Sequence, residues 1–420
     1  MYLCIDLKSF YASVECVERG LDPMAARLVV ADPERTDKTI CLAVSPAMKA
    51  LGVKNRCRVF EIPKNIDYIM APPRMQKYID YSAEIYGIYL DYIAPEDIHV
   101  YSIDEAFLDV GPYLQRYGKT PREMGLMLMN EIEKRLGVRA ACGIGANLYL
   151  AKIALDITAK HAKNFIGELN ELSYRQTLWR HQPLTDFWRI GEGTARRLAS
   201  LGIYTMEQIA HAEEESLYRL FGIDAELLID HAWGREPTGI RDIQGFIPKS
   251  NSLTSGQVLM RDYTKQEGRT IVREMMDGMC LDMVEKNLVT GSVTLVVGYS
   301  KEDGGDMAKG TVSFGRDTSA DGVILPAVCE LYQRIVDEKR RIRRMYVNCN
   351  QVKPAGGNIQ LSLFDAAENQ DAQRDHQRQA TVVSIHKRYG KNALLKGIDL
   401  LAEATARERN HQIGGHKSGE

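Results

Sequence analysis

One nine-residue run, Ser102-Ile103-Asp104-Glu105-Ala106-Phe107-Leu108-Asp109-Val110, constrains this chain more than any other. It reads as strand with a turn at its start, and the turn sets two carboxylates side by side. Adjacent Asp104 and Glu105 repel each other, and a fold that keeps both ionised must offset that repulsion; a divalent cation does so well. A third carboxylate, Asp6, ends the apolar strand Tyr2-Leu3-Cys4-Ile5. Three carboxylates converging at neighbouring strand ends suit a pair of Mg²⁺ ions about 4 Å apart. One ion would lower the pKa of an attacking hydroxyl, and the other would neutralise a triphosphate and its leaving pyrophosphate. Taken singly, each piece has an ordinary explanation. An Asp-Glu pair is commonly just solvated, and Asp6 could cap a helix over 7–18.

The flanking pattern mixes strands and helices. A helix is expected after Asp6, with Phe10, Val14 and Val17 on one side and Gly20 as its stop. Strands are expected at 28–32 and 39–44, a helix at 77–91, strand at 98–110, an amphipathic helix at 121–136, a strand into a Gly turn at 138–145 and a helix at 148–160. Residues 170–235 read as helical throughout. A Pro- and Gly-bearing loop comes next at 236–252. Strands near 255–260, 291–299, 309–315 and 342–351 then alternate with helices near 264–286 and 321–338. The stretch after Pro354 is polar and Gln-rich to about 380, and helical periodicity returns at 381–413. The fold class is therefore α+β, with separate units along the chain.

Composition narrows the class without naming it. Of 420 residues, 45% are hydrophobic and 26% charged, as in ordinary globular proteins. No apolar run approaches the roughly 20 residues that cross a bilayer, so no membrane association is expected. Asp6 and Lys8 interrupt the first apolar stretch, so no signal peptide is expected. Eight cysteines stand singly at 4, 16, 41, 57, 142, 280, 329 and 349, with no C-x-x-C pair. That argues against a zinc ribbon and fits free thiols in the cytoplasm. A net charge of −2 neither signals nor excludes nucleic acid, because a local basic groove suffices.

The combination of motifs changes the reading. Asp6-x-x-x-Phe10-Tyr11-Ala12, then Ser102-Ile103-Asp104-Glu105-Ala106-Phe107-Leu108-Asp109, then Gly143-Ile144-Gly145-x-Asn147-x-x-x-Ala151-Lys152-Ile153-Ala154 resembles the Y-family DNA polymerases. The resemblance is colinear over residues 1–352. It is nearest the UmuC-like branch of damage-induced bacterial enzymes, in its Gram-positive and mobile-element forms. It implies a right-hand polymerase: ferredoxin-like palm at 1–10 and 75–167, small fingers at 11–74, and helical thumb with a helix-hairpin-helix at 168–238. A linker at 239–247, an α+β little finger at 248–352 and a tail at 353–420 complete it. The implied activity is DNA-directed translesion synthesis in damage tolerance, by two-metal transfer from dNTP to a primer 3′-OH, at low fidelity and without proofreading.

Residue by residue, the resemblance makes Asp6, Asp104 and Glu105 the Mg²⁺ ligands, with the Leu7 carbonyl completing a site. Tyr11 becomes the steric gate beneath the sugar, with Phe10 supporting it. Departures are visible. Many members carry Asp or Asn where this chain has Lys8. In the fingers motif, Pro46 and Lys49 replace a Tyr and an Arg, so Lys49 would act as a point charge without a bidentate fork. Ser45 is then a candidate for the lost phosphate contact. Lys160 best matches the palm lysine for the β/γ-phosphates, but the spacing is displaced by one residue and Lys163 is a rival.

Further elements point to DNA and to a partner. Ile190-Gly191-Glu192-Gly193 resembles a helix-hairpin-helix turn, whose backbone N–H groups hold a phosphate without reading sequence. The string Gly-Glu-Gly-Thr-Ala-Arg also mimics a dinucleotide fingerprint, but no βαβ unit surrounds it. Residues 143–152 lack the ending of a phosphate loop. Ser250, Ser252 and Thr254 would face phosphates, and in the strand 340–347 alternation sets Arg341 and Arg343 on one face. Gln360-Leu361-Ser362-Leu363-Phe364 resembles the bacterial sliding-clamp-binding motif, with Gln360 at the pocket rim and Leu361, Leu363 and Phe364 supplying the apolar contacts. Partners implied are primer-template DNA, dNTP and the sliding clamp, with recombinase or other SOS accessory proteins left open. Two rival classes remain: a nucleotide cyclase on the same palm, and a catalytically silent DNA-repair accessory subunit. Primer-dependent incorporation separates them.

Overall fold

A computed structural model describes residues 1–248, 250–356 and 366–419, with backbone alone over 366–373. The chain divides into two compact units, residues 1–246 with 417–420, and residues 247–416.

The first unit opens with strand β1 (Tyr2–Leu7) and helix α1 (Phe10–Val17). A small insert comes next: β2 (Leu28–Val30), β3 (Ala43–Val44), α2 (Pro46–Ala50) and β4 (Ile69–Ala71), whose strands form a sheet in the order β3-β2-β4. Then come α3 (Met75–Leu90), β5 (Ile98–Val100), β6 (Glu105–Asp109), α4 (Gly111–Tyr117), α5 (Pro121–Leu136), β7 (Ala140–Gly145), α6 (Leu148–Ile153) and β8 (Ile166–Leu169). The main sheet runs β5-β6-β1-β7-β8. β1 lies at its centre, antiparallel to both neighbours. Leu3, Cys4 and Ile5 are fully buried, as expected of a strand covered on both faces.

Local chemistry sets the helix ends. Thr120 and Glu123 form a capping box before α5, Pro121 occupies its first turn, and Gly137 ends it in the left-handed region. Helices α7 (Glu171–Leu178), α8 (Glu192–Ala199), α9 (Met206–Ala210), α10 (Glu214–Phe221) and α11 (Asp224–Trp233) complete the helical part. They enclose a core around Tyr174, Phe187, Leu198 and Met206. The expected linker is not a free loop. Residues Ile240–Gly245 form helix α12, Ile240 is buried, and Gln244 Nε2 donates to the Ile98 carbonyl at 3.2 Å.

The second unit contains β9 (Leu253–Tyr263), α13 (Lys265–Glu285), β10 (Leu288–Tyr299), β11 (Met307–Thr318), α14 (Asp321–Ile335), β12 (Ile342–Asn350) and β13 (Lys353–Pro354). Its sheet order is β11-β10-β12-β9, with β13 added to β10. One face packs on α13 and α14 through Met276, Met283, Val293, Leu295, Ile324 and Val347. The other is open and carries Arg344, Tyr346 and Asn348 of β12 in cross-strand register with β10, and Thr254 of β9 opposite Asn348.

The stretch after Pro354 also differs from expectation. Helix α15 (Ala366–Tyr389) packs against α13 and α14. Arg378 reaches Asp321 at 2.5 Å, and Lys396 pairs with Asp321 at 3.0 Å and also with Asp277. The Glu274 carboxylate accepts the Thr405 and Ala406 N–H groups at 3.0 and 3.2 Å, before α16 (Ala406–Arg409). Residues 374–409 thus belong to the unit's structure, because buried carboxylates on α13 and α14 require these partners.

Candidate active site

The site forms where β1 ends and β6 begins. Their antiparallel register sets Asp6 opposite Glu105, and the Leu7 N–H donates to the Asp104 carbonyl at 2.9 Å. Backbone pairing alone therefore gathers the three carboxylates and Leu7. Ser102 Oγ donates to Asp104 Oδ1 at 2.7 Å and orients it.

Two lysines neutralise the other two carboxylates. Lys152 Nζ lies 2.6 Å from Glu105 Oε1 and 3.1 Å from Asp156 Oδ2, with the residue only 7% exposed. Burial works against the Lys152 ammonium, but the carboxylates of Glu105 and Asp156 outweigh it and push its pKa up. The Cys4 thiol, raised by burial and by Glu105, stays protonated and donates to Glu105 Oε1 at 3.1 Å. Lys160 Nζ bridges Asp6 Oδ2 at 3.0 Å and Asp156 Oδ1 at 2.8 Å. Burial raises the Asp6 pKa against the pull of Lys160, and Asp104 and Glu105 add to the rise. Among the described residues, no group of three His, Cys, Asp or Glu side chains is already gathered as a ligand set. The ammonium groups carry the neutralisation in this arrangement. The donors themselves are hard carboxylate oxygens, which fit Mg²⁺.

Lys160 rather than Lys163 reaches the carboxylates. Residues Ala154–Thr158 wind as a π-helix between α6 and a 3₁₀ turn at Ala159–His161. A π segment absorbs one extra residue while the flanking turns keep their facing. It accounts for the one-residue displacement in the spacing. Lys163 is exposed and makes no ion pair among the described residues.

Phe10 is buried, and Tyr11 beside it stacks on Tyr78 with ring centroids 4.4 Å apart. Behind them, fully buried Glu15 accepts from Arg74 Nε and Nη2 at 3.0 and 2.9 Å and from the Tyr78 hydroxyl at 2.8 Å, and it also pairs with Arg19. This network ties α1 to α3. Lys49 Nζ donates to Ser9 Oγ at 2.8 Å, and the fields of Asp6 and Lys160 reach Lys49. Lys8 lies over the Phe165 ring at 3.7 Å. A cationic rim thus borders the carboxylates.

Ser45 does not face this rim. It is fully buried, donates to the Ala26 carbonyl at 2.7 Å, and accepts from the Leu28 N–H at 3.1 Å and the Met48 N–H at 3.5 Å. Its hydroxyl is committed to capping α2 and fixing β2, so the phosphate role expected for it is corrected.

The expected DNA contacts fare unevenly. Gly191 caps α8 and Gly193 lies in its first turn, with open space where a Cβ would stand at each. Ser250 and Ser252 are exposed, and Thr254 hydrogen-bonds Asn348 on the open sheet face. The alternation expected for 340–347 fails. A register shift between Ile342 and Arg344 breaks it. Arg341 is exposed, Arg343 turns to Asp262 at 3.4 Å, and Arg344 is the arginine that joins the open face. Such a bulge inserts one residue and re-aims the side chains beyond it. The clamp-motif residues Gln360, Leu361, Leu363 and Phe364 lie outside the described residues.

Sequence reasoning missed Lys152, Asp156 and the Glu15 network. The first two had a signal, since Lys152, Asp156 and Lys160 recur every four residues in the stretch that reads as helical.

Comparison with known proteins agrees with this geometry. The impB/mucB/samB family model matches residues 5–156, and the model of that family's C-terminal domain matches residues 250–363. The UvrX protein of Bacillus subtilis, whose name refers to UV-damage repair, is 31% identical over 99% of this chain and 97% of its own length. DNA polymerase IV 2 of Halalkalibacterium halodurans is 28% identical, covering 98% of each chain. Among solved structures, the Y-family DNA polymerase chimera Dbh-Dpo4(243-245)-Dbh matches with TM-score 0.66 at 21% identity, over 84% of this chain and 99% of that one. No helix among the described residues is long and apolar enough to cross a membrane. With register, motif order and relatives in agreement, the chain belongs to the impB/mucB/samB family, as a UmuC-like member of the Y-family DNA polymerases.

Proposed function

We propose that this protein extends a primer on damaged DNA templates, joining a dNTP to the primer 3′-OH with release of pyrophosphate. The observation that carries the reading is the β1–β6 register, which sets Asp6 against Glu105 and bonds Leu7 to Asp104 at one sheet end. Asp6, Asp104 and Glu105, with the Leu7 carbonyl, would hold two Mg²⁺ ions, which supply charge neutralisation and lower the pKa of a hydroxyl. Lys152 and the Cys4 thiol fix the direction of the Glu105 carboxylate. Lys160 and Lys49 place positive charge where a triphosphate would lie, as point charges. Tyr11, backed by Tyr78, would offer a flat plate beneath the sugar and leave no volume for a 2′-OH. Gly191 and Gly193 leave the backbone open to a DNA phosphate, and the open face of the second unit offers Thr254, Arg344 and Asn348 to the backbone. The small insert at 11–74 would close loosely over the nascent pair, which favours lesion tolerance over fidelity. Relatives named DNA polymerase IV and UV-damage repair protein support the same reading.

The test is primer extension with Mg²⁺ on undamaged and lesion-bearing templates. Asp104→Ala should lower incorporation by at least about 10³-fold, since it removes stabilisation needed chiefly in the transition state, while primer-template binding holds. Near-normal extension by that variant would refute this active site.

A further inference from the structure

Residues 417–420 belong to the first unit, although residues 247–416 form the second. The contacts of residues 417–419 converge on the start of α3 and on the loop after β2. Helix α3 begins poorly satisfied, because its N-cap residue Arg74 makes no side-chain cap bond. Its first N–H groups therefore need acceptors from elsewhere. The Ser418 carbonyl provides one, accepting the Gln76 N–H at 2.9 Å. Lys417 Nζ lies 2.5 Å from Glu34 Oε2 and 3.5 Å from Asp32 Oδ1. Asp32 is 8% exposed and Ser418 7% exposed, so the contacts at these two are buried, while the Glu34 side chain stands in solvent.

Gly419 completes the seat. A Cβ there would stand 2.6 Å from the Arg74 Cβ and 2.8 Å from its Cα, and its φ of +91° lies where side chains are disfavoured. The residue it packs on is the one that holds Glu15. From Arg74 the contacts run through Glu15 to the Tyr78 hydroxyl, and from the Tyr78 ring to Tyr11.

We propose that residues 417–419 act as a strap that pins the 32–34 loop to the start of α3 and, through Arg74, Glu15 and Tyr78, sets the position of the Tyr11 plate. Lys417, Ser418 and Gly419 are then positioning residues for sugar discrimination. The inference rests on the polymerase reading of the site. An isolated exposed ion pair would contribute little. Here a helix-capping bond, a buried carboxylate and a close backbone seat act at one point, and each would be lost together if the segment lifted.

Two variants test it: a chain ending at His416, and Lys417→Glu with its charge-swap rescue by Glu34→Lys. Amide exchange at Gln76 reads the docking directly. It should accelerate by roughly tenfold or more in the shortened chain, as local opening becomes cheap. The ratio of rNTP to dNTP efficiency should rise roughly two- to tenfold, short of the roughly 10²-fold that a 1 Å misplacement of reacting groups costs. The change should have the direction expected of Tyr11→Ala, which removes the plate outright, and the swapped pair should restore it in part. Unchanged exchange at Gln76 would overturn the docking. Faster exchange with unchanged sugar discrimination would overturn the positioning role. Failure of the full chain to extend any primer would instead overturn the polymerase reading, and Gln76 exchange would still decide whether the strap docks.

Discussion

Glu15 has no solvent exposure, yet it is held ionised. Burial pushes its carboxyl pKa up, but hydrogen bonds from Arg74, Arg19 and Tyr78 outweigh that and hold it below the ordinary Glu range. Glu15→Gln keeps the shape and removes the charge, leaving Arg74 without its bidentate partner. The expected loss is about 2–4 kcal/mol in urea unfolding, the range for breaking a buried charged network. The direction of the shift fixes the sign of the pH dependence. The folded-state pKa lies below the unfolded one, so the contribution is full above roughly pH 4.3 and is lost as pH falls through the folded value. Unfolding curves of Glu15→Gln should lack that acid-side slope, and an identical slope would assign it to other carboxylates. The carboxylates of the candidate site were legible because Asp104 and Glu105 are contiguous and Asp6 ends a plain strand. Glu15 was not, because Arg74 and Tyr78 lie 59 and 63 residues away. Only the packing of α1 on α3 brings them together.

At the scale of elements, most helices and strands fell where periodicity set them, and one exception borders the candidate site. The helix expected at 148–160 is three things in succession: α6, a π segment and a 3₁₀ turn. Hydrophobic spacing does not distinguish them, since a π segment changes the winding by a single residue. The short strands β4 and β8 were also missed, being three and four residues long. The Gly-Ile-Gly run looks like a loop for phosphate, but both glycines serve helix packing. A Cβ on Gly145 would run into the Ala151 amide nitrogen, and one on Gly143 into the Ala151 carbonyl oxygen. The helix bearing Lys152 therefore rests directly on the β7 backbone. Gly145→Ala should destabilise by about 3 kcal/mol or more, at the upper end for overpacking against atoms that cannot rotate away. It should also depress incorporation beyond its effect on folding, since Lys152 would be lifted from Glu105. The measurements are thermal unfolding and single-turnover incorporation at a temperature where the variant is folded. Wild-type values in both would show that α6 can move aside freely.

For the whole molecule, the apolar pentapeptide Gln360-Leu361-Ser362-Leu363-Phe364 invites a partner. Composition suggests a free polar tail around it, but its surroundings are more ordered. β13 pairs with β10 on one side, at Leu288 opposite Pro354, and α15 packs on α13 and α14 on the other. Long-range packing of this kind cannot be seen in a Gln-rich composition, because the decisive partners, Asp277 and Asp321, sit far back in the chain. Fixed flanks matter for binding, since they limit the chain entropy that docking must overcome. Burying Leu363 and Phe364 in an apolar pocket should contribute roughly 1.5–3 kcal/mol each. The main-chain contacts of an extended segment and the Gln360 and Leu361 contacts add to these two side chains, and binding near the micromolar range is expected once the remaining ordering cost is met. The whole chain should therefore bind a bacterial sliding clamp several-fold more tightly than a free peptide spanning 356–368. A ring threaded on DNA would then raise the local concentration of the enzyme at the primer end, so modest affinity suffices. Replacing Gln360, Leu363 and Phe364 by Ala should leave extension without the clamp unchanged and abolish stimulation by loaded clamp. Surface binding and primer extension with and without clamp measure both effects. A triple variant that responds fully to the clamp would remove this segment from the interaction, and equal affinity of peptide and chain would remove the role of the anchored flanks.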